Sequence, residues 1–270
     1  MKITFVGGGN MAGAIIGGLV RDGFDANGVN VVEPAAAARA QLAERFGVSA
    51  AAGVADLSAI GEVVVLAVKP QQMREAVQPL AARLQQQVVL SIAAGLRVAD
   101  LSRWLGGYAR IVRCMPNTPA LIGAGITAAC APTGLAADQR AAVERILKAI
   151  GKVVWVDDEA QLDAVTAVSG SGPAYVFYFM EALRDAAKEL GLSPAAAATL
   201  TLETVLGAAK LAAGSSDDVS TLRERVTSKG GTTEAALKSM AADKFKESIK
   251  RAVHAANDRS RVLGAELGKD

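Results

Sequence analysis

Through the first part of the chain, short apolar runs alternate with segments of helical spacing, and beyond that part the short runs stop. Lys2-Ile3-Thr4-Phe5-Val6, Val29-Asn30-Val31-Val32, Val63 to Val68, Val88 to Ile92, Ile111 to Cys114, Gly123 to Ala131 and Val153 to Val156 all have the length and composition of strands. Ala14, Ile15, Ile16 and Leu19, then Ala35 to Phe46, then Asp138 to Ile150 carry the helical pattern between them. A continuous apolar run such as Val63-Val64-Val65-Leu66-Ala67-Val68 is what a strand covered on both faces looks like. The alternation predicts an α/β domain with a doubly wound parallel sheet that ends near Asp157-Asp158-Glu159. From Leu162 the pattern is helical almost throughout, so the chain divides into a domain over 1–160 and an all-helical domain over 161–270.

In the second half, Ser171 and Pro173 supply a cap and a first-turn proline for a helix over Ala174 to Leu190, with Gly191 as its stop. Further helices are predicted over Ala195 to Leu211, Asp217 to Arg225, Thr233 to Met240 and Lys244 to Leu263. Ala174-Tyr175-Val176-Phe177-Tyr178-Phe179-Met180 is apolar on every side, the mark of a helix buried all round. A small helical domain offers few places for it, which predicts a homodimer or an assembly of dimers.

Composition narrows the chemistry. With 51% hydrophobic but only 4% aromatic residues, the core is built from Ala, Val, Leu and Ile. The formal charge of +2 comes from scattered Lys, Arg, Asp and Glu, with no basic stripe, which argues against nucleic acid or a membrane surface as partner. No run approaches the roughly 18 consecutive apolar residues of a membrane span, and Met1-Lys2 leads straight into a strand pattern, so a cytoplasmic protein with reduced thiols is expected. One histidine, His254, and two distant cysteines, Cys114 and Cys130, give a zinc site or a Ser-His-Asp triad almost nothing to work with. Cys114 reads as a small core residue and His254 as a solvated or interface one. The reactive chemistry therefore belongs to a bound cofactor, and no metal is expected.

Val6 runs into Gly7-Gly8-Gly9-Asn10-Met11-Ala12, a G-x-G-x-x-A turn between a strand and a helix. Gly7 makes the tight turn, Gly9 lets a pyrophosphate approach the backbone, and Ala12 allows close helix–strand packing, which is a dinucleotide-binding arrangement of the Rossmann kind. Glu33 stands at the end of the second strand, where an acidic side chain hydrogen-bonds a free ribose 2′-hydroxyl and repels a 2′-phosphate, favouring NADH. A merely solvated Glu33 is the open alternative, as is Arg39 meeting a phosphate if the loop folds back. Ala67-Val68-Lys69-Pro70, Ala93-Ala94-Gly95 and Met115-Pro116-Asn117-Thr118-Pro119 follow three successive strands and predict a shared groove for the nicotinamide half.

Arg225 to Leu237 holds the other candidate site. In Val226-Thr227-Ser228-Lys229-Gly230-Gly231-Thr232-Thr233, small and glycine residues open directly into a helix, whose first N–H groups are unpaired and lie at its positive end. A small carboxylate fits such a cradle. The alternative is an ordinary connection in which Thr232 or Thr233 caps the helix.

G-G-G-N-M-A, A-V-K-P, M-P-N-T-P, G-S-G-P-A-Y at Gly170 to Tyr175 and V-T-S-K-G-G-T-T together resemble the pyrroline-5-carboxylate reductase family over essentially the whole chain. The resemblance implies a Rossmann-like domain followed by a helical dimerisation domain, with an active site between the nucleotide and helices that include the partner's. It implies reduction of the cyclic imine 1-pyrroline-5-carboxylate to L-proline by hydride transfer from NADPH or NADH. On this resemblance the dinucleotide falls on Val6, Gly7, Gly8, Gly9, Asn10, Met11, Ala12, Ala67, Val68, Lys69, Pro70, Ala93 and Ala94. The substrate carboxylate falls on the backbone around Ser228, Gly230, Gly231, Thr232 and Thr233, with Glu159 nearby, and the Thr233 hydroxyl meets the imine nitrogen. Glu33 departs from the small hydroxyl residue of many members and leaves the choice of NADPH or NADH open. Dehydrogenases of β-hydroxyacids, a competing reading, want a catalytic lysine, and Lys188 and Lys210 lie in plain helical contexts. A dinucleotide-binding redox sensor would not need the second cradle.

Overall fold

A computed structural model describes residues 1–269. The first part of the chain runs β1 (Ile3–Val6), α1 (Asn10–Arg21), β2 (Val29–Val32), α2 (Ala36–Phe46), β3 (Ser49–Ala51) and β4 (Val63–Leu66). It continues through α3 (Met73–Ala81), β5 (Val88–Ser91), α4 (Val98–Trp104), β6 (Ile111–Met115), β7 (Gly125–Cys130), α5 (Ala137–Lys148) and β8 (Gly151–Trp155). The helices α6 (Gln161–Val165), α7 (Gly172–Glu189), α8 (Pro194–Gly214), α9 (Val219–Arg225), α10 (Thr232–Ala242) and α11 (Phe245–Leu267) follow.

The eight strands form one sheet in the order β3-β2-β1-β4-β5-β6-β7-β8. Period-two alternation splits their side chains between two layers. Ile3, Phe5, Val65, Leu90 and Val112 join Ile15, Ile16 and Ile146 in one cluster, while Val6, Val64, Leu66, Val89 and Ile111 join Met73, Leu80 and Leu101 in the other. Strands buried on both faces explain the continuous apolar runs in the sequence.

The sheet departs from the wholly parallel one expected. β7 runs antiparallel to β6 and parallel to β8. Only the short turn Thr118–Ile122 and four further residues separate β6 from β7. A parallel return needs a crossover of about a dozen residues or more, so the chain reverses here and resumes parallel pairing only after α5. β3 also joins the sheet beyond β2; its Ser49-Ala50-Ala51 is too short and too small to announce a strand.

By contacts the chain divides into Met1–Ser171 with Ala256–Asp270, and Gly172–Ala255. Residues 161–171 therefore sit with the sheet, where Leu162 is fully buried beside Ala128 and Cys130. Ser171 does not cap α7 as expected. It has helical dihedrals and donates its amide to the Thr166 carbonyl at 2.8 Å, closing a π-helical turn over Thr166–Gly170 that carries α6 on into α7. Gly191, at φ +90°, does stop α7.

In the helical unit α7 and α8 pack on each other. The all-round burial expected of α7 is not supplied within one chain: Phe177 is 60% and Tyr178 75% exposed. α8 is long and apolar enough to cross a membrane by length and composition, with a mean hydropathy of 1.2 over its most apolar window, of which 11% is buried.

Phe5 is fully buried in the central strand, so Phe5→Ala should cost about 3–5 kcal/mol of stability. Urea unfolding checks this, and a loss below about 1 kcal/mol would contradict the layer assignment.

Candidate active site

In-register pairing places Val6 beside both Val32 and Leu66, and Leu66 beside Ser91. The segments that follow these strands, beginning at Gly7, Glu33, Ala67 and Ile92, therefore form a row along the carboxyl edge of the sheet. Gly7 sits at φ +98°, and a methyl group on it would lie 2.8 Å from the Ala67 carbonyl. Only glycine makes this turn. Gly9 is at the cap position of α1 with no side-chain cap, and there is open space where its side chain would be. Gly13 N–H donates to the Gly9 carbonyl, so the amides of Asn10, Met11 and Ala12 precede the first intrahelical bond. Ala12 is fully buried against the sheet, as close packing there requires.

Glu33 is held in place rather than free in solvent. Its Oε2 accepts from the Gly8 amide at 3.0 Å and its Oε1 from the Ala35 amide at 3.0 Å. Arg39 folds back to this turn, donating from Nη1 to the carbonyls of Glu33 at 2.8 Å and Pro34 at 2.7 Å. A cavity of about 480 Å³ opens beside them, lined by Gly7, Glu33, Pro34, Val54, Val68 and Gln72. The glycine turn, the unpaired amides and this cavity fit a dinucleotide. On the next strand ends, Lys69 is exposed and precedes a turn begun by Pro70, Ala93 is buried, and Ala94 is exposed.

Further along the same unit, Arg113 is 4% exposed and donates from Nη1 to Glu159 Oε1 at 3.0 Å. The same oxygen accepts the Val98 amide at 2.8 Å, at the first residue of α4. Glu159 thus ties α4 and β6 together. Asn117 bridges likewise: its Oδ1 accepts the Ile126 amide at 3.0 Å and its Nδ2 donates to the Ser169 carbonyl at 3.2 Å. Burial pushes the Cys114 thiol up, well beyond the range in which a thiolate would form, so Cys114 is a core residue as expected. His254 is exposed on α11. Among the described residues no cluster of His, Cys, Asp and Glu is arranged to hold a metal.

In the helical unit, Gly231 occupies the cap position of α10, again with no side-chain cap, and Thr232 and Thr233 are the first two helical residues instead of caps. Ala235 N–H donates to the Gly231 carbonyl, leaving the amides of Thr232, Thr233 and Glu234 ahead of the first intrahelical bond. The Gly230 amide is engaged: it donates to Glu234 Oε2 at 2.7 Å, and Gly231 donates to the Ser228 carbonyl at 3.1 Å. Sequence reasoning missed the Arg113–Glu159 pair and the engagement of Gly230 by Glu234, because both join residues whose types alone suit a solvated surface equally well.

Residues 159–263 match the family model for pyrroline-5-carboxylate reductase dimerisation, and residues 2–95 match that for NADP oxidoreductase, coenzyme F420-dependent. The chain is 46% identical to a pyrroline-5-carboxylate reductase of Pseudomonas aeruginosa over 269 residues, which is 99% of this chain and 98% of that one.

This chain belongs to the pyrroline-5-carboxylate reductase family.

The reductase of Haemophilus influenzae is 42% identical, with 97% of each chain covered. A solved pyrroline-5-carboxylate reductase from Coxiella burnetii superposes with a TM-score of 0.92 at 41% identity, covering 97% of this chain and 98% of that one. The Plasmodium falciparum pyrroline carboxylate reductase, solved with NADP bound, gives a TM-score of 0.86 at 28% identity over 98% of each chain. The chain is accordingly a pyrroline-5-carboxylate reductase, EC 1.5.1.2, an oxidoreductase of proline biosynthesis with an NAD(P)H-binding domain and a dimerisation domain. The dimerisation model begins at 159, and the contact division falls at 171/172.

Removing Glu159 leaves the buried Arg113 guanidinium without this partner. Glu159→Ala should therefore lower stability by about 2 kcal/mol, less than for a pair buried on both sides because Glu159 is 29% exposed. Chemical denaturation reads this directly; an unchanged midpoint would mean that the pair contributes nothing to the fold.

Proposed function

We propose that the dinucleotide lies along the glycine turn, with its pyrophosphate on the amides of Asn10, Met11 and Ala12, and that Ala67 to Pro70 and Ala93 with Ala94 line the path of the nicotinamide half. The substrate carboxylate takes the cradle of Ser228, Gly231, Thr232 and Thr233, and the Thr233 hydroxyl hydrogen-bonds the ring nitrogen of the imine. The observation that carries the second assignment is that α10 starts at a glycine without a side-chain cap, which leaves its first amides and a threonine hydroxyl at the positive end of the helix. Gly230 keeps the turn, at φ +73°, with its own amide held by Glu234.

When bound, the reduced nicotinamide supplies a hydride to the imine carbon. The chain's residues have the remaining tasks: the cradle fixes the anion, the first turn of α10 orients the ring, and Thr233 stabilises the nitrogen as it becomes an amine. Glu33 reads the adenosine ribose. Its carboxylate is already fixed on two amides, so it accepts a hydrogen bond from a 2′-hydroxyl at little reorganisation cost and repels a 2′-phosphate. On this basis NADH is the preferred donor.

The apolar faces of α7 and α8 are covered by a second copy in a homodimer, or in an assembly of dimers. The support is their composition, their exposure in the single chain and the match of residues 159–263 to a dimerisation model. A partner subunit, rather than a bilayer, then accounts for the apolar length of α8, and the enzyme is cytoplasmic.

Oxidation of NAD(P)H with racemic pyrroline-5-carboxylate, followed by absorbance, should show rapid turnover. Thr233→Ala should lower kcat/KM by roughly one to three orders of magnitude, the scale of losing one positioned donor. Unchanged kinetics would remove Thr233 from the mechanism. Light scattering at micromolar concentration should give twice the 27.6 kDa chain mass or a multiple of that, and a stable monomer would contradict the assembly.

A further inference from the structure

The last turns of α11 run against the loop that follows β5. A methyl group added at Gly264 would lie 2.8 Å from the Gly95 carbonyl oxygen, and one added at Gly95 would lie 3.2 Å from Leu267 Cδ1. Gly95 is at φ +82°, a backbone conformation that favours glycine. Gly264 is inside a helix, where glycine is less stable than alanine by roughly 1 kcal/mol, so a packing reason is needed for it. The contact with Gly95 supplies that reason.

Three further contacts extend the seam on both sides. Ser260 Oγ donates to Asp163 Oδ1 at 2.7 Å, with Ser260 4% and Asp163 7% exposed. Leu267 packs on the cluster that contains Ala93, Leu96 and Leu101. Arg103, on α4, donates from Nη2 to the Gly268 carbonyl at 2.6 Å. The end of α11 is therefore fastened before, at and after the point where it meets Gly95.

We infer that Gly264 is a positioning residue for the dinucleotide: by allowing α11 to lie on the Gly95 carbonyl it holds Ala93-Ala94-Gly95 in the conformation that receives the cofactor. The inference rests on the assignment of Ala93 and Ala94 to the cofactor path. A side chain at Gly264 pushes on backbone, which cannot turn aside as a flexible side chain would, so the displacement passes into the loop two residues from Ala93. The effect falls on nucleotide affinity, because Gly264 belongs to the same unit as the Ala93-Ala94-Gly95 loop, whereas the carboxylate cradle residues 228–233 belong to the other.

The test compares Gly264→Ala and Leu267→Ala with Ala94→Asp, a direct change in the loop, using the full-length enzyme. Dissociation constants for NADH and NADPH, read by quenching of tryptophan fluorescence, are measured with kcat, both KM values and the melting temperature. Gly264→Ala should raise Kd and KM for both nucleotides roughly 3- to 30-fold, the span of remote couplings. Leu267→Ala should move the same constants less, and KM for pyrroline-5-carboxylate at saturating nucleotide should stay within about twofold. If Gly264→Ala fails to fold, Leu267→Ala decides by the same readout. Nucleotide constants unchanged in both seam variants but weakened by Ala94→Asp would overturn the inference and leave the loop assignment standing. Constants unchanged in all three would overturn both, and an equal fall in every kinetic parameter would reduce the seam to a structural contact.

Discussion

The parallel, in-register pairing of β1 with β2 on one side and β4 on the other is the constraint on which the cofactor end of the molecule depends. It brings the glycine turn, Glu33 and the Ala67 corner to a single edge, though dozens of residues separate them in sequence. Burial on both faces sets this register firmly. A slip of one residue would exchange the two side-chain layers, moving Phe5 and Leu66 each to the wrong side. The precision of the site is thus inherited from the core.

The chain uses one device twice. Both α1 and α10 begin at a glycine with no side-chain cap, at Gly9 and Gly231. Compared with a serine or asparagine cap, glycine costs only a few tenths of a kcal/mol, and it leaves the first amides of the helix available to an outside anion. The carboxylates that do touch these turns hold their geometry: Glu33 takes the Gly8 amide and Glu234 takes the Gly230 amide. A reaction that needs a pyrophosphate and a small carboxylate fixed in place suits a chain with two such helix starts.

Much of this was legible in the residues, for stated reasons. Strands buried on both faces write themselves as unbroken apolar runs, and Gly7, Gly9 and Ala12 have spacings that few other structures require. The reversal at β7 was not legible from hydrophobicity, which has the same form in parallel and antiparallel strands; only the shortness of the connection after Met115 carried it. The π-helical turn before α7 hid behind Ser171-Gly172-Pro173, a string that also starts helices. Phe177 and Tyr178 are exposed in the single chain, which leaves their expected burial to a second subunit. Roles such as those of Arg113 and Asn117 depend on which distant backbone each side chain meets, and local pattern holds no record of that.

The central claim is that the sheet edge binds a dinucleotide whose ribose is read by a carboxylate fixed on the glycine turn. The most direct measurement is the ratio of kcat/KM for NADH to that for NADPH, determined on the unaltered enzyme at one pH and ionic strength with saturating pyrroline-5-carboxylate. The account predicts a ratio well above one, at least about tenfold, the equivalent of roughly 1.4 kcal/mol of discrimination at the 2′ position. A ratio below one would show that the 2′-phosphate is accommodated and would contradict the role given to Glu33.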